Sequence, residues 1–195
     1  MKMTKEEVRQ TLIDGTIHII ATKGFDGATT KQIGTYTGIN EAYIYRNFVD
    51  KEDMFVASFN VLDQELVNAL LHAMPVMDDE SLDPYERSFL FFSAMWKFFL
   101  DKQERSICFM RYYYSYYFFK YSVDEHKRAY HKVIEEMAPA FKEGTDVWMM
   151  LNHMLDIFLA WVVKTVNGVC ENNDKTVSTI FGLIYDSVEK HLAWT

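Results

Sequence analysis

Thr29–Phe55 reads TTKQIGTYTGINEAYIYRNFVDKEDMF, and its punctuation predicts two short helices meeting at a tight corner. Thr29 and Gln32 have the spacing of a capping box, in which each side chain satisfies the other residue's backbone donor. The helix they open is expected to reach about Thr37 and to stop at Gly38, because glycine takes the positive φ of a helix-ending turn without a Cβ penalty. Asn40 is a good N-cap for a second helix over Glu41–Phe48. Ile33, Ile39, Ile44 and Phe48 are spaced so that two steeply crossing helices bury them together, and Gly34 carries no side chain at the closest approach. A helix-turn-helix of this kind can lay its second helix in the major groove of DNA.

At these residues the chain resembles the tetracycline-repressor (TetR) family of bacterial transcription regulators. The family's N-terminal pattern is present as Gly24-Phe25, Thr29, Ile33-Gly34, Gly38-Ile39, Ile44-Tyr45, Phe48 and Lys51-Glu52. The match covers roughly the first 55 residues, with many positions in register. The resemblance implies an N-terminal three-helix headpiece over 1–50 and a helical effector-binding and dimerisation domain over 51–195. Carried over residue by residue, it puts Lys31, Glu41, Ala42, Tyr43, Arg46 and Asn47 toward DNA, with Thr29, Asn40, Tyr45 and Lys51 holding phosphates.

The chemistry fits those roles. Hydroxyls, an amide and a lysine near helix N-termini clamp an anionic backbone and set register. Lys31 or Arg46 can reach guanine O6/N7, Glu41 can accept from a cytosine amino group, and Ala42 or Tyr43 can touch a thymine methyl. Three positions depart from the family pattern. Gly34 replaces the usual alanine, at a helix cost of about 1 kcal/mol at most. Glu41 brings a negative charge where many relatives are polar or basic. Asn47 stands where His or Tyr is common.

Upstream, Thr4 to about Lys23 reads as an amphipathic helix, with Thr4 and Glu7 as a capping box and Gly24 ending it. Lys5, Glu6, Arg9 and Gln10 are expected to face out. Downstream, Asp50 caps a long helix from Lys51 to about Met74, where Pro75 stops it. An acidic loop over Met77–Asp83 leads to a helix opened by Pro84 and running to about Asp101, apolar nearly all round and so expected to be buried on most sides. Single helices are predicted from about Gln103 through Tyr121, over Val123–Met137, over Thr145–Val169, and from an Asp174 cap through Leu192. The chain is therefore read as all-α.

Bulk composition narrows the function classes. Hydrophobic residues make up 49% and charged residues 25%, ordinary for a globular protein. The formal net charge of −8 argues against blanket attraction to nucleic acid. Seven Lys/Arg stand against eight Asp/Glu through Phe55, so −1 of that charge lies in the headpiece and −7 in the remainder. DNA binding then depends on a few placed cations. Cys108 and Cys170 form no paired or metal spacing, which suits a reducing cytoplasm. No N-terminal signal is visible, and the longest apolar runs are cut by polar residues short of a membrane span, so no membrane partner is expected.

The C-terminal part carries the run FMRYYYSYYFFKY over Phe109–Tyr121, with six tyrosines at 112, 113, 114, 116, 117 and 121. Buried tyrosines need hydrogen-bond partners, so some must reach the surface and others could line a cavity. Trp96, Phe99, Cys108, Tyr112, Tyr116, Met154 and Phe158 are candidate walls of an apolar ligand site, with Arg111, Asn152 and His153 as polar anchors; each could equally be core. His131 with Glu135, and His153 with Asp156, offer two ligands each and fall short of a metal site. No phosphate loop, nucleophile elbow or HExxH is present, so no cofactor, metal or catalytic residue is assigned and an enzyme is not expected.

The sequence thus points to a cytoplasmic homodimer joined through its last two helices. By the family resemblance it would bind a palindromic double-stranded operator as a repressor and be released by a small, largely apolar effector. The alternative is an interaction adaptor on the same fold, controlled by a protein partner.

Overall fold

The computed structural model describes residues 3–194, and every described element is helical apart from one isolated β-bridge. The α-helices are α1 (Lys5–Gly27), α2 (Thr30–Thr37), α3 (Glu41–Asn47), α4 (Lys51–Ala73), α5 (Pro84–Asp101), α6 (Gln103–Tyr113), α7 (Tyr116–Tyr121), α8 (Val123–Ala129), α9 (His131–Met137), α10 (Val147–Val166) and α11 (Asp174–Val188). Short 3-10 turns follow α4, α9 and α11. The chain forms two compact units, residues 1–65 with 102–127 and residues 66–101 with 128–195.

In the first unit, the Thr4–Glu7 capping box forms as expected and opens α1. Gly24, at φ 73°, breaks the regular helix, and a last helical turn continues to Gly27. The break turns Phe25 into a ring cluster with Phe55, Tyr112 and Tyr117, at centroid distances of 5.4, 6.2 and 4.9 Å. Leu12, Ile20, Ile33, Ile44 and Phe55 are fully buried around this core.

Helix α6 is fastened to its neighbours by charge as well as by packing. Glu104 meets His18 at 2.9 Å, Arg105 reaches Asp14 at 3.1 Å, and the Arg111 guanidinium donates to the Ile20 carbonyl at 2.6 Å. Arg105 also grips Glu65 of α4 through two bonds of 2.6 and 3.0 Å. Asp63 of α4 and His126 of α8 form a buried pair at 2.9 Å among the rings of Phe59, Tyr113 and Phe118.

In the second unit, Asp83 and Glu86 cap α5 reciprocally. Helix α5 buries one stripe, Phe92, Met95, Trp96 and Phe99, while Leu90 is exposed, so it is covered on one side and not on most sides. Helices α10 and α11 pack on each other and on α5. The C-terminal segment is held by the Phe141–Leu192 bridge, so Leu192 lies outside the last helix.

Several expected boundaries move. The predicted Gln103–Tyr121 helix is two helices, because Ser115 caps α7 through the Phe118 amide. Val123–Met137 is likewise two, parted at Tyr130. Asn173, not Asp174, caps α11, accepting from the Thr176 amide at 2.9 Å. Helix α10, with 20 residues and mean hydropathy 1.3, is apolar enough by length and composition alone to cross a membrane, with Asn152, Asp156 and Lys164 interrupting its apolar runs. Its polar residues are spaced so that a run count sees breaks and an average does not.

Candidate nucleic-acid interface

The corner is built from local signals. Thr29 accepts from the Gln32 amide at 3.1 Å and starts α2. Gln32 does not return the bond as a capping box requires; its carbonyl oxygen accepts instead from Lys23 Nζ at 2.9 Å. Gly38 ends α2 in the left-handed region at φ 69°. Asn40 then caps α3 by accepting from the Ala42 amide at 2.9 Å. Ile33, Ile44 and Phe48 are buried between the helices as expected, whereas Ile39 is half-buried. A Cβ on Gly34 would lie 2.9 Å from the Ile39 carbonyl oxygen, so the backbone approach depends on glycine.

With Ile44 and Phe48 turned inward, α3 offers Glu41, Ala42, Tyr43, Tyr45 and Arg46 outward. Tyr43 and Tyr45 are 44% and 61% exposed, which leaves both phenols able to donate to an oxygen outside the chain. The Arg46 guanidinium lies over the Tyr43 ring at 5.0 Å, a contact that holds a cation beside the exposed face. Lys31 is exposed on α2, and Thr29 and Asn40 are exposed at the two helix starts. Lys51 is half-buried, its ammonium 5.4 Å from the Phe55 ring. Glu41 accepts a hydrogen bond from the Thr30 hydroxyl across the corner. Asn47 folds back on α3, its Nδ2 donating to the Tyr43 carbonyl at 2.7 Å, and its Oδ1 is buried without a partner.

Three supports of this surface were not read from the sequence. Arg9, expected to face out, donates to the Asn47 carbonyl at 2.8 Å and stacks on Phe48 at 4.3 Å, closing the C-terminus of α3. Its position on the polar side of α1 gave no hint of a partner 38 residues away. Gly15 lets α1 meet α2 where a Cβ would sit 2.3 Å from Thr37 Cγ2; a lone glycine inside a helical pattern was the available signal. The His18 ring stacks on Tyr36 at 4.1 Å, joining α1 to α2.

The candidate ligand residues divide between the two units. In the first, Cys108 and Tyr112 are core, the Tyr112 hydroxyl meets Ser122 Oγ at 2.9 Å, Arg111 is engaged with Ile20, and Tyr116 is 68% exposed. In the second, Trp96, Phe99 and Phe158 pack edge to face, and Trp96 Nε1 donates to Asn172 at 3.0 Å. There Met154 is half-buried, Asn152 donates to the Trp148 carbonyl at 2.7 Å, and His153 meets Ser187 at 3.1 Å. Burial pushes both the Cys108 thiol and the Tyr112 phenol up to about 12.

Comparison with known proteins bears on the N-terminal segment and on the fold. Residues 12–58 match the family model for bacterial regulatory proteins of the tetR family. No curated protein sequence matches the chain. Among solved structures, a putative tetR family transcription regulator from Shewanella sp. PV-4 has TM-score 0.75 at 16% identity, covering 95% of this chain and 98% of that one. The fatty acid degradation regulator FadR from Bacillus halodurans has TM-score 0.70 at 18% identity, covering 94% and 96%. FadR from Bacillus subtilis in complex with stearoyl-CoA has TM-score 0.69 at 16% identity, covering 90% and 96%. Residues 12–58 thus match the tetR family model, and the all-helical fold is that of solved structures of TetR family regulators.

Proposed function

We propose that the chain is a homodimeric repressor that reads a palindromic operator through α3 and is released by a largely apolar small molecule. The observation that carries the reading is the outward face of α3. Lys31, Ala42, Tyr43 and Arg46 are the candidates for base edges, while Thr29, Asn40, Tyr45 and Lys51 surround them as candidate phosphate partners. Division of roles after residue 50 follows from this, with the headpiece reading DNA and residues 51–195 sensing the effector and dimerising. A reducing cytoplasm is the compartment in which such a protein meets its operator.

Dimerisation through α10 and α11 is supported by apolar surface left uncovered in the single chain. Phe158, Leu159 and Val162 are the buried residues of α10, and Met149, Val163 and, on α11, Leu183 are exposed. A second copy across a two-fold axis would cover it and would set two headpieces on half-sites about 34–36 Å apart, or a multiple of that.

For the effector, the buried rings of Trp96, Phe99 and Phe158, with the half-buried thioether of Met154, are the apolar side chains we propose an acyl chain would meet. The fold likeness to a FadR holding stearoyl-CoA supports a long-chain acyl thioester as the first class to try. Release would work by population shift: the ligand favours a conformation whose headpiece spacing no longer fits both half-sites. Ligand and operator must then weaken each other by the same factor.

The test is operator binding by fluorescence anisotropy with and without saturating stearoyl-CoA, palmitate and aromatic cations. At least one compound class should weaken operator binding, and the operator should weaken that compound equally. Operator affinity untouched by every class, with no compound raising the melting temperature, would remove the small-molecule release.

A further inference from the structure

Gly34 and Glu41 meet at one corner. Without a Cβ, residue 34 admits the Ile39 carbonyl to 2.9 Å and the Glu41 amide to 3.8 Å of where that atom would stand. Helix α3 therefore begins close against α2, and the Glu41 carboxylate reaches the Thr30 hydroxyl in the first turn of α2. Both residues open their helices, so the bond joins the two helix starts across the turn. The carboxylate also sits at the positive end of α3, where a negative charge is favoured.

We propose that Glu41 is a positioning residue and not a base reader: through Thr30 it fixes the angle at which α3 meets DNA. This rests on the DNA-reading function proposed above. A carboxylate free in the groove would repel phosphates unless it met a cytosine amino group. One held back against α2 commits its hydrogen bond to the corner and leaves base discrimination to Lys31, Ala42, Tyr43 and Arg46. The negative charge then taxes every sequence alike.

The experiment compares Thr30→Val, Glu41→Gln and Glu41→Ala in the full-length protein, measuring base preference by selection from a randomised duplex pool and stability by thermal melting. Glu41→Gln keeps an acceptor for Thr30 and removes the charge, so it should keep the wild-type base preferences and bind all duplexes more tightly. Thr30→Val and Glu41→Ala should each lower the ratio of selected to scrambled affinity by roughly three- to tenfold, and the double variant should be no worse than either single one. The melting shifts should be non-additive in the same way. A changed preference at one base pair in Glu41→Gln, with Thr30→Val unchanged, would make Glu41 a reader and overturn the proposal. Additive melting shifts would overturn the Thr30 bond with no DNA involved. A wild-type protein that selects no sequence would instead overturn the DNA-reading function, while the melting cycle still decides whether the corner is tied.

Discussion

Cys108 and Tyr112 lie on one face of α6, and burial holds both in their protonated forms. Each is pushed up to about 12, the thiol from 9.0 and the phenol from 10.0. In the unfolded chain both release protons earlier, so the stability they contribute is full below about pH 9 and is lost as pH rises through about 12. The urea midpoint should therefore fall between pH 9 and 12, and a flat profile across that window would contradict the burial. The same burial makes Cys108 inert. A thiol reagent should label Cys170, which is half-buried, in the native protein and Cys108 only after unfolding. At the proposed DNA surface, Arg46→Ala should relax preference at a single base pair, costing roughly 1–3 kcal/mol if the contact is bidentate. Lys51→Ala should weaken all sequences alike and flatten the salt dependence.

Helices whose ends carry their own chemistry were legible from the sequence. Asn40, Asp83 and the Thr4–Glu7 pair each close a local hydrogen bond within four residues, and Gly38 takes the left-handed turn, so local sequence alone announces them. The break between α6 and α7 was hidden, because Tyr114-Ser115 sits in an aromatic run with no glycine or proline to mark it. Long-range ties were also invisible: nothing near Arg9, Arg105 or Arg111 tells which distant carbonyl or carboxylate each will meet. Within the candidate site, exposed α3 positions followed from helical spacing, while the Thr30 bond to Glu41 and the inward turn of Asn47 depended on how closely two helices pack. Packing at Gly34 supplies an element-scale prediction. Alanine is the better helix former by about 1 kcal/mol, yet its Cβ would press on the Ile39 backbone, which cannot rotate away as a side chain can. Gly34→Ala should lower the melting temperature and weaken operator binding; a rise in both would show that the corner has room.

For the whole molecule, the uncovered side of α10 is the feature that a single chain leaves unresolved energetically. Light scattering should give twice the 23.0 kDa chain mass. Val163→Glu or Leu183→Glu, each placing a charge on an exposed apolar position, should return the single-chain mass while the helical signal is retained. A wild-type protein that stays at the single-chain mass at micromolar concentration would leave that surface without its proposed cover. The proposed dimer would matter to function because one headpiece, with a net charge of −1 through Phe55, has little general attraction for DNA. Two headpieces bound to linked half-sites gain from each other's effective concentration.

The most direct measurement is equilibrium binding, across a salt series, to a palindrome from the DNA upstream of the protein's own gene and to its scrambled counterpart. Binding should fall steeply with salt on both duplexes, and the palindrome should stay tighter by at least about a thousandfold, the range of specific DNA readers. Equal affinity for the two duplexes, or no binding to either at low salt, would contradict the reading of α3 as a recognition helix.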